Sequence, residues 1–190
     1  MRNTDIPEQV NIIINELVDE TNFKSITDLN EEVLNRRGLY CIKLKIGSSL
    51  PKRYQDILER RPHKYIYVGK AERTLRQRLE QELMHRRPGT FFRSIGCVLG
   101  YEPISGHLIG MKNQNNYKFS SEVTNKIIGW LSNNIEVSII NYDGNFGIEK
   151  CIIEILCPLL NIDNNPLVLR ELKEDRQRCR DIARGIQLSL

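Results

Sequence analysis

The sequence predicts a small α+β fold with helices at both ends. Three observations predict it. Three short segments alternate like strands, the stretches around them carry a helical period, and their order is β–β–α–α–α–β–α. A chain of 190 residues with 40% apolar content suits one globular core with terminal additions.

The first helix is predicted over Asp5 to Glu20, where Val10, Ile13, Ile14, Leu17 and Val18 recur at helical spacing and Pro7 suits a first turn. Asn22 to Arg37 is polar and reads as a loop or short helix leading into the core. Gly38 to Ile46 alternates as a strand with Tyr40, Ile42, Leu44 and Ile46 on one face. Gly47 to Pro62 is a basic, proline-flanked excursion, and Lys64 to Gly69 is a second strand. Arg73 to Arg87 is helical on the Leu75, Leu79, Leu83 stripe; Gly89 breaks it, and Thr90 to Leu99 begins another helix. Ser120 to Ser132 is helical, with Ser120 or Ser121 as N-cap and Trp130 on the apolar side. Ile135 to Tyr142 is the third strand, and Phe146 to Cys157 a helix stopped by Pro158. After a turn over Asn161 to Pro166, Leu167 to Ile186 closes the chain as a charged helix. The expected division is an N-terminal helical extension (1–35), a core (36–165) and a C-terminal helix packed on the core (166–190).

The formal charge of +4 permits a polyanionic partner without requiring one. The charge is concentrated: Arg73, Arg76, Arg78, His85, Arg86 and Arg87 share one stretch, and Arg176, Arg178, Arg180 and Arg184 another. The second set alternates with Glu171, Glu174, Asp175 and Asp181, the pattern of a salt-bridged, solvated face. The five cysteines are scattered without a CxxC pair, which argues against a disulfide framework or zinc knuckle and for reduced, mostly buried thiols. No stretch approaches the ~20 apolar residues of a membrane span and no apolar signal core is present, so the expected location is the cytoplasm, away from membranes.

Glu149 is the most telling position. On a helical wheel Ile152, Ile153 and Leu156 lie within about 60° of it, while Glu154 faces the other way. A carboxylate on an apolar stripe needs a compensating charge. An arginine, another cation, a bound metal, a structural ion pair or a partly exposed stripe edge would each satisfy it. Arg78 sits beside the Leu75–Leu79 stripe, placed either for a surface pair with Glu82 or for gripping a phosphate. Tyr40 and Tyr67 each stand two residues from a glycine, as Gly38-Leu39-Tyr40 and Tyr67-Val68-Gly69. Such a tyrosine is either a packing residue or one beside which a ligand approaches the backbone.

Taken in order, GLY at Gly38–Tyr40, YVGKA at Tyr67–Ala71, Leu75, Arg78-Leu79, then Glu149, Pro158 and Asn161 resemble the GIY-YIG nuclease family. The Tyr67–Leu79 stretch looks like the excision-repair version with one residue inserted. The resemblance covers about Arg37 to Asn161 and implies a small three-stranded antiparallel sheet with flanking helices. It implies phosphodiester hydrolysis assisted by one divalent ion, Mg²⁺ or Mn²⁺, with Glu149 its only direct side-chain ligand and water and phosphate oxygens completing the shell. Tyr40 would be general base or proton relay, its acidity raised by a nearby cation for which Lys70 is the candidate. Arg78 would stabilise the phosphate and Tyr67 would hydrogen-bond the nucleophile or phosphate. Asn161 would order the site or touch the backbone, and Gly38 and Gly69 would leave space beside the scissile phosphate. Arg73, Arg76 and His85 would contact the substrate backbone.

Two positions depart from the family. Leu39 replaces isoleucine in the first motif. Glu82 stands four residues after Arg78, where many relatives carry His or Tyr, and three roles are open to it: binding a second cation, restraining Arg78, or lying on the surface. His85, one turn on, could substitute for the missing His. The expected partner is nucleic acid, with DNA favoured, and specificity would come from the insertions Gly47–Pro62 or Gly100–Phe119. The alternatives are a non-cleaving nucleic-acid-binding module on the same fold, or a partner-binding domain that leaves the inward carboxylate unexplained. Oligomeric state is left open.

Overall fold

The computed structural model describes residues 8–186. It is an α+β fold on a three-stranded antiparallel sheet: β1 (Gly38–Leu44) lies between β2 (Tyr65–Ala71) and β3 (Ile135–Asn141). Helices α1 (Glu8–Leu17) and α2 (Glu31–Leu34) precede it; α3 (Lys52–Glu59) lies between β1 and β2. Then follow α4 (Leu75–Leu83), α5 (Thr90–Val98) and α6 (Ser121–Asn134), with α7 (Ile148–Leu156) and α8 (Arg170–Ala183) after β3.

The central strand is buried on both faces, which is why β1 reads as a nearly continuous apolar run. One face carries Leu39 and Cys41 into a core with Val10, Ile14 and Leu17 of α1 and Ile152, Ile153 and Leu156 of α7. The other carries Tyr40 and Ile42 into a larger core with Leu75 and Leu79 of α4, Phe91 and Ile95 of α5, and Leu172 of α8. Both sheet edges are capped in part by neighbouring chain, which satisfies some of their backbone polar groups. Beyond β3, Lys24 forms an isolated antiparallel bridge to Val137. Beyond β2, Leu159 and Leu160 donate to the carbonyls of Tyr65 and Ile66 at 3.1 and 2.8 Å. Asn161 then donates its side-chain amide to the Val68 carbonyl and accepts from the Val68 N–H, both at 2.9 Å.

Several boundaries differ from expectation for local reasons. The first helix is described from Glu8 to Leu17; Pro7 lies outside the described residues. β1 ends at Leu44 rather than Ile46, because the chain turns through Gly47 at φ +83° and leaves Ile46 exposed. The Gly47–Pro62 excursion contains helix α3, whose Tyr54 and Leu58 bury one face. α4 spans only Leu75–Leu83, since Thr74 caps it by accepting from Gln77 N–H. The Ser120 cap of α6 is as expected, accepting from Val123 N–H. α7 stops at Cys157, in the left-handed region at φ 44°, directly before Pro158 disfavours further helix. The C-terminal arginines are only partly a solvated face. Arg178 pairs with Glu102 and Arg184 with Asp181, but Arg176 is buried and donates to Ser94 Oγ at 3.2 Å. All five cysteines are free, and Cys41, Cys97 and Cys179 are buried. Among the described residues no helix is long and apolar enough to cross a membrane.

Candidate active site

Antiparallel pairing places Tyr40 directly opposite Gly69. The Tyr40 ring lies across that glycine, where a Cβ would stand 2.3 Å from the phenolic oxygen. Gly69 therefore makes room for the tyrosine rather than for a phosphate. Gly38 is likewise enclosed by protein: a Cβ there would meet the Ile140 carbonyl oxygen at 2.0 Å. Gly69→Ala is expected to force the buried ring aside and to cost about 2 kcal/mol, read by urea unfolding, with activity falling as well. Wild-type stability in that variant would show that the ring tolerates displacement.

Tyr40 and Tyr67 lie side by side, ring centroids 6.2 Å apart. Arg78, projecting from α4, brings its Nε to 3.4 Å from the Tyr40 hydroxyl and its Nη2 to 2.6 Å from Glu82 Oε1. Glu82 has no exposed surface, and its Oε2 accepts from Phe91 N–H at 2.9 Å. Gly89 leaves this carboxylate its space, since a Cβ there would be 2.4 Å from Oε2. Of the three roles open to Glu82, restraint of Arg78 is the one its geometry supports. The contact is far from a solvent-exposed helix pair, because one partner is wholly inside the protein.

Glu149 enters from the first turn of α7. Its carboxylate is 22% exposed and lies 3.7 Å from Lys70 Nζ, which is 2.9 Å from Glu72. Burial raises the Glu149 pKa above the ordinary carboxylate value, opposed by Lys70 and then Arg78. Burial also pushes Tyr40 and Tyr67 well above the ordinary phenol range, with Glu82 adding to both and Arg78 opposing. The cation at the Tyr40 hydroxyl is thus Arg78; Lys70, expected there, pairs with the two carboxylates.

Lys70, Arg78 and Glu149 border a cavity of about 430 Å³, lined also by Glu72, Arg73 and Gln77. The remaining expected residues sit elsewhere. Arg76 is engaged by Asn35 and Glu31. Asn161 has its amide committed to Val68, so it orders β2 beside α7. His85 stacks on Phe92 and lines a second cavity. Glu72 and Gln77 carry no motif or stripe position that marks them in the sequence, whereas Glu82 is marked by its spacing from Arg78.

Two carboxylates, Glu149 and Glu72, opening on a cavity with Lys70, Arg73 and Arg78 around them and two buried tyrosines behind, make a site suited to a phosphate ester. The GIY-YIG catalytic domain family matches residues 38–181, about three quarters of the chain. The chain belongs to the GIY-YIG catalytic domain family. Membership carries nuclease-type chemistry, and the match runs through every site residue described above. No curated protein and no solved structure matches the chain at a significant level.

The residues fit a weakly held divalent ion. Among the described residues no three His, Cys, Asp or Glu side chains cluster as a metal cage. Glu149 and Glu72 are the carboxylates lining the cavity, and so few protein oxygens suit a cation keeping most of its own water.

Proposed function

We propose that this GIY-YIG protein is a metal-dependent endonuclease that hydrolyses phosphodiester bonds in nucleic acid, with DNA the favoured substrate. The observation that carries the proposal is the shared cavity of Glu149, Lys70 and Arg78, with Arg78 reaching back to Tyr40. Glu149 would hold one Mg²⁺ or Mn²⁺, which supplies Lewis-acid activation and charge neutralisation when bound. Arg78 binds the phosphate with the face of its guanidinium not used by Glu82, and stabilises charge on the phosphoryl oxygens. Lys70 neutralises Glu149 at rest and turns to the phosphate as the substrate enters.

In the chemical step, water oxygen attacks phosphorus, the water proton passes to Tyr40, and the bond to the leaving oxygen breaks, that oxygen taking a proton from solvent. Burial keeps Tyr40 neutral at rest, so only its ionised fraction can accept that proton. Arg78 is the group that stabilises this fraction. The cleavage rate is accordingly expected to rise with pH up to 9 without a plateau. Tyr40→Phe should lose about 100-fold in rate and this alkaline rise together; a variant with the wild-type profile would remove Tyr40 from proton transfer. Tyr67, whose pKa burial also raises, is a hydrogen-bond donor to the nucleophile or phosphate.

The proposed test is a panel of supercoiled, linear and branched duplex DNA, single-stranded DNA and RNA, each incubated with Mg²⁺ or Mn²⁺. Cleavage of a DNA member supports the reading. Binding without cleavage of any member supports the non-cleaving module instead. Five free thiols accord with a cytoplasmic setting.

A further inference from the structure

A second cavity, of about 390 Å³, lies beyond the C-terminal end of α4. His85, Arg86 and Arg87 come to it from the α4–α5 loop, Lys118 from the segment before α6, and Thr124 and Asn125 from the first turns of α6. No carboxylate among the described residues lines it. Glu80 engages Arg86 at 3.1 Å, whereas Arg87 and Lys118 are exposed and make no ion pair among the described residues.

His85 marks the cavity as a shaped one. Its backbone is in the left-handed region at φ 54°, its ring stacks on Phe92 at 4.4 Å, and its Nδ1 is buried without a hydrogen-bond partner among the described residues. Burial, then Arg93 and Lys118, lower its pKa. Like charges gathered without a counter-ion are costly, and an anion relieves that cost.

The loop carrying three of these residues is fixed to the active site. Glu82, at the end of α4, contacts Arg78 on one side and Phe91 N–H of α5 on the other. Five residues of α4 separate Arg78 from Leu83, about 7 Å at the helical rise of about 1.5 Å per residue, so the two cavities are neighbours along α4.

We propose that the cavity of His85, Arg87, Lys118 and the first turns of α6 binds a non-scissile phosphate of the same nucleic-acid strand whose scissile phosphate occupies the Glu149 cavity. This rests on the nuclease reading above. The second phosphate contact sets where along the strand the reactive phosphate falls, and its recognition is electrostatic and independent of base sequence.

The test measures the affinity of a 20-base-pair duplex by fluorescence anisotropy across a salt series, with Glu149→Gln as a non-cleaving parent. In that background Arg87→Ala with Lys118→Ala should weaken binding about tenfold and reduce the log–log salt slope by about 1. Arg170→Ala with Lys173→Ala on α8 removes the same charge away from the cavity and should change both far less. Arg87→Lys with Lys118→Arg should restore affinity. Equal effects of the two double-alanine variants overturn the proposal and leave the nuclease reading standing. A parent that binds no nucleic acid, together with a wild type that cuts none, overturns both.

Discussion

Glu149→Gln is expected to lower the cleavage rate about a thousandfold while leaving the melting temperature at or above the wild-type value. The two halves of this expectation share one cause. The carboxylate is held in a largely desolvated position, and burial is the main reason its pKa is raised. A folded-state carboxyl with a raised pKa favours folding below the ordinary carboxylate range, and that contribution is lost as pH rises through the raised value. At pH 7 the ionised group is therefore a liability to stability. Glutamine removes that charge at nearly constant shape, so the fold keeps or gains stability while the metal loses its protein ligand. Protons compete with the cation for Glu149, so metal-dependent activity is expected to fall on acidification and to be recovered in part by more metal. A variant that is both inactive and strongly destabilised would point to a structural ion pair with Lys70 instead.

Glu82→Ala is expected to destabilise the protein by about 3 kcal/mol in urea unfolding and to lower cleavage about 100-fold. The stability loss has two sources. Phe91 N–H is left buried without its acceptor, and the space of a wholly buried side chain opens beside Gly89. Arg78 is 31% exposed, so its freed guanidinium turns partly to water, which limits the loss. Activity falls because that guanidinium no longer points at the phosphate position, and small misplacements are expensive in rate. Glu82→Gln separates the effects. It keeps an acceptor for Phe91 N–H and should recover most of the stability, yet it cannot neutralise Arg78 and should remain slow. Full activity in the glutamine variant would reduce Glu82 to a packing role.

Glu82 also shows how much of this site was readable from sequence. It falls three residues after Leu79 and seven after Leu75, on the same stripe as Leu83. Like Glu149, it is a carboxylate on an apolar stripe. Its spacing to Arg78 also fits an ordinary surface pair, and periodicity does not say how deeply a stripe is buried. The sheet and its flanking helices were legible from alternation and period, since β1, β2 and β3 have clear apolar signatures. Helix α3 was not, because only Tyr54, Ile57 and Leu58 mark it within a polar, proline-bounded stretch.

The glycines were legible as important but not for the right reason. Gly69 looked like space for a ligand, and its true neighbour, the Tyr40 ring, is set by cross-strand register that no local motif encodes. Asn161 is a similar case. Its spacing from Glu149 located it, while its double hydrogen bond to Val68 depends on where the chain returns after α7. Side-chain partners 30 or more residues apart are fixed by packing, and the Arg78–Tyr40 and Lys70–Glu149 contacts belong to that class.

A metal-dependent nuclease working through Glu149, Tyr40 and Arg78 is, as proposed, inert without a divalent ion. The direct measurement is conversion of supercoiled plasmid to nicked circles by wild-type protein stripped of metal, then supplied with Mg²⁺ or Mn²⁺, then treated with EDTA. The expected result is no nicking before metal, nicking with either ion, and arrest on chelation. Nicking that proceeds unchanged in EDTA would contradict it, as would a protein that binds the plasmid with metal present and leaves every molecule supercoiled.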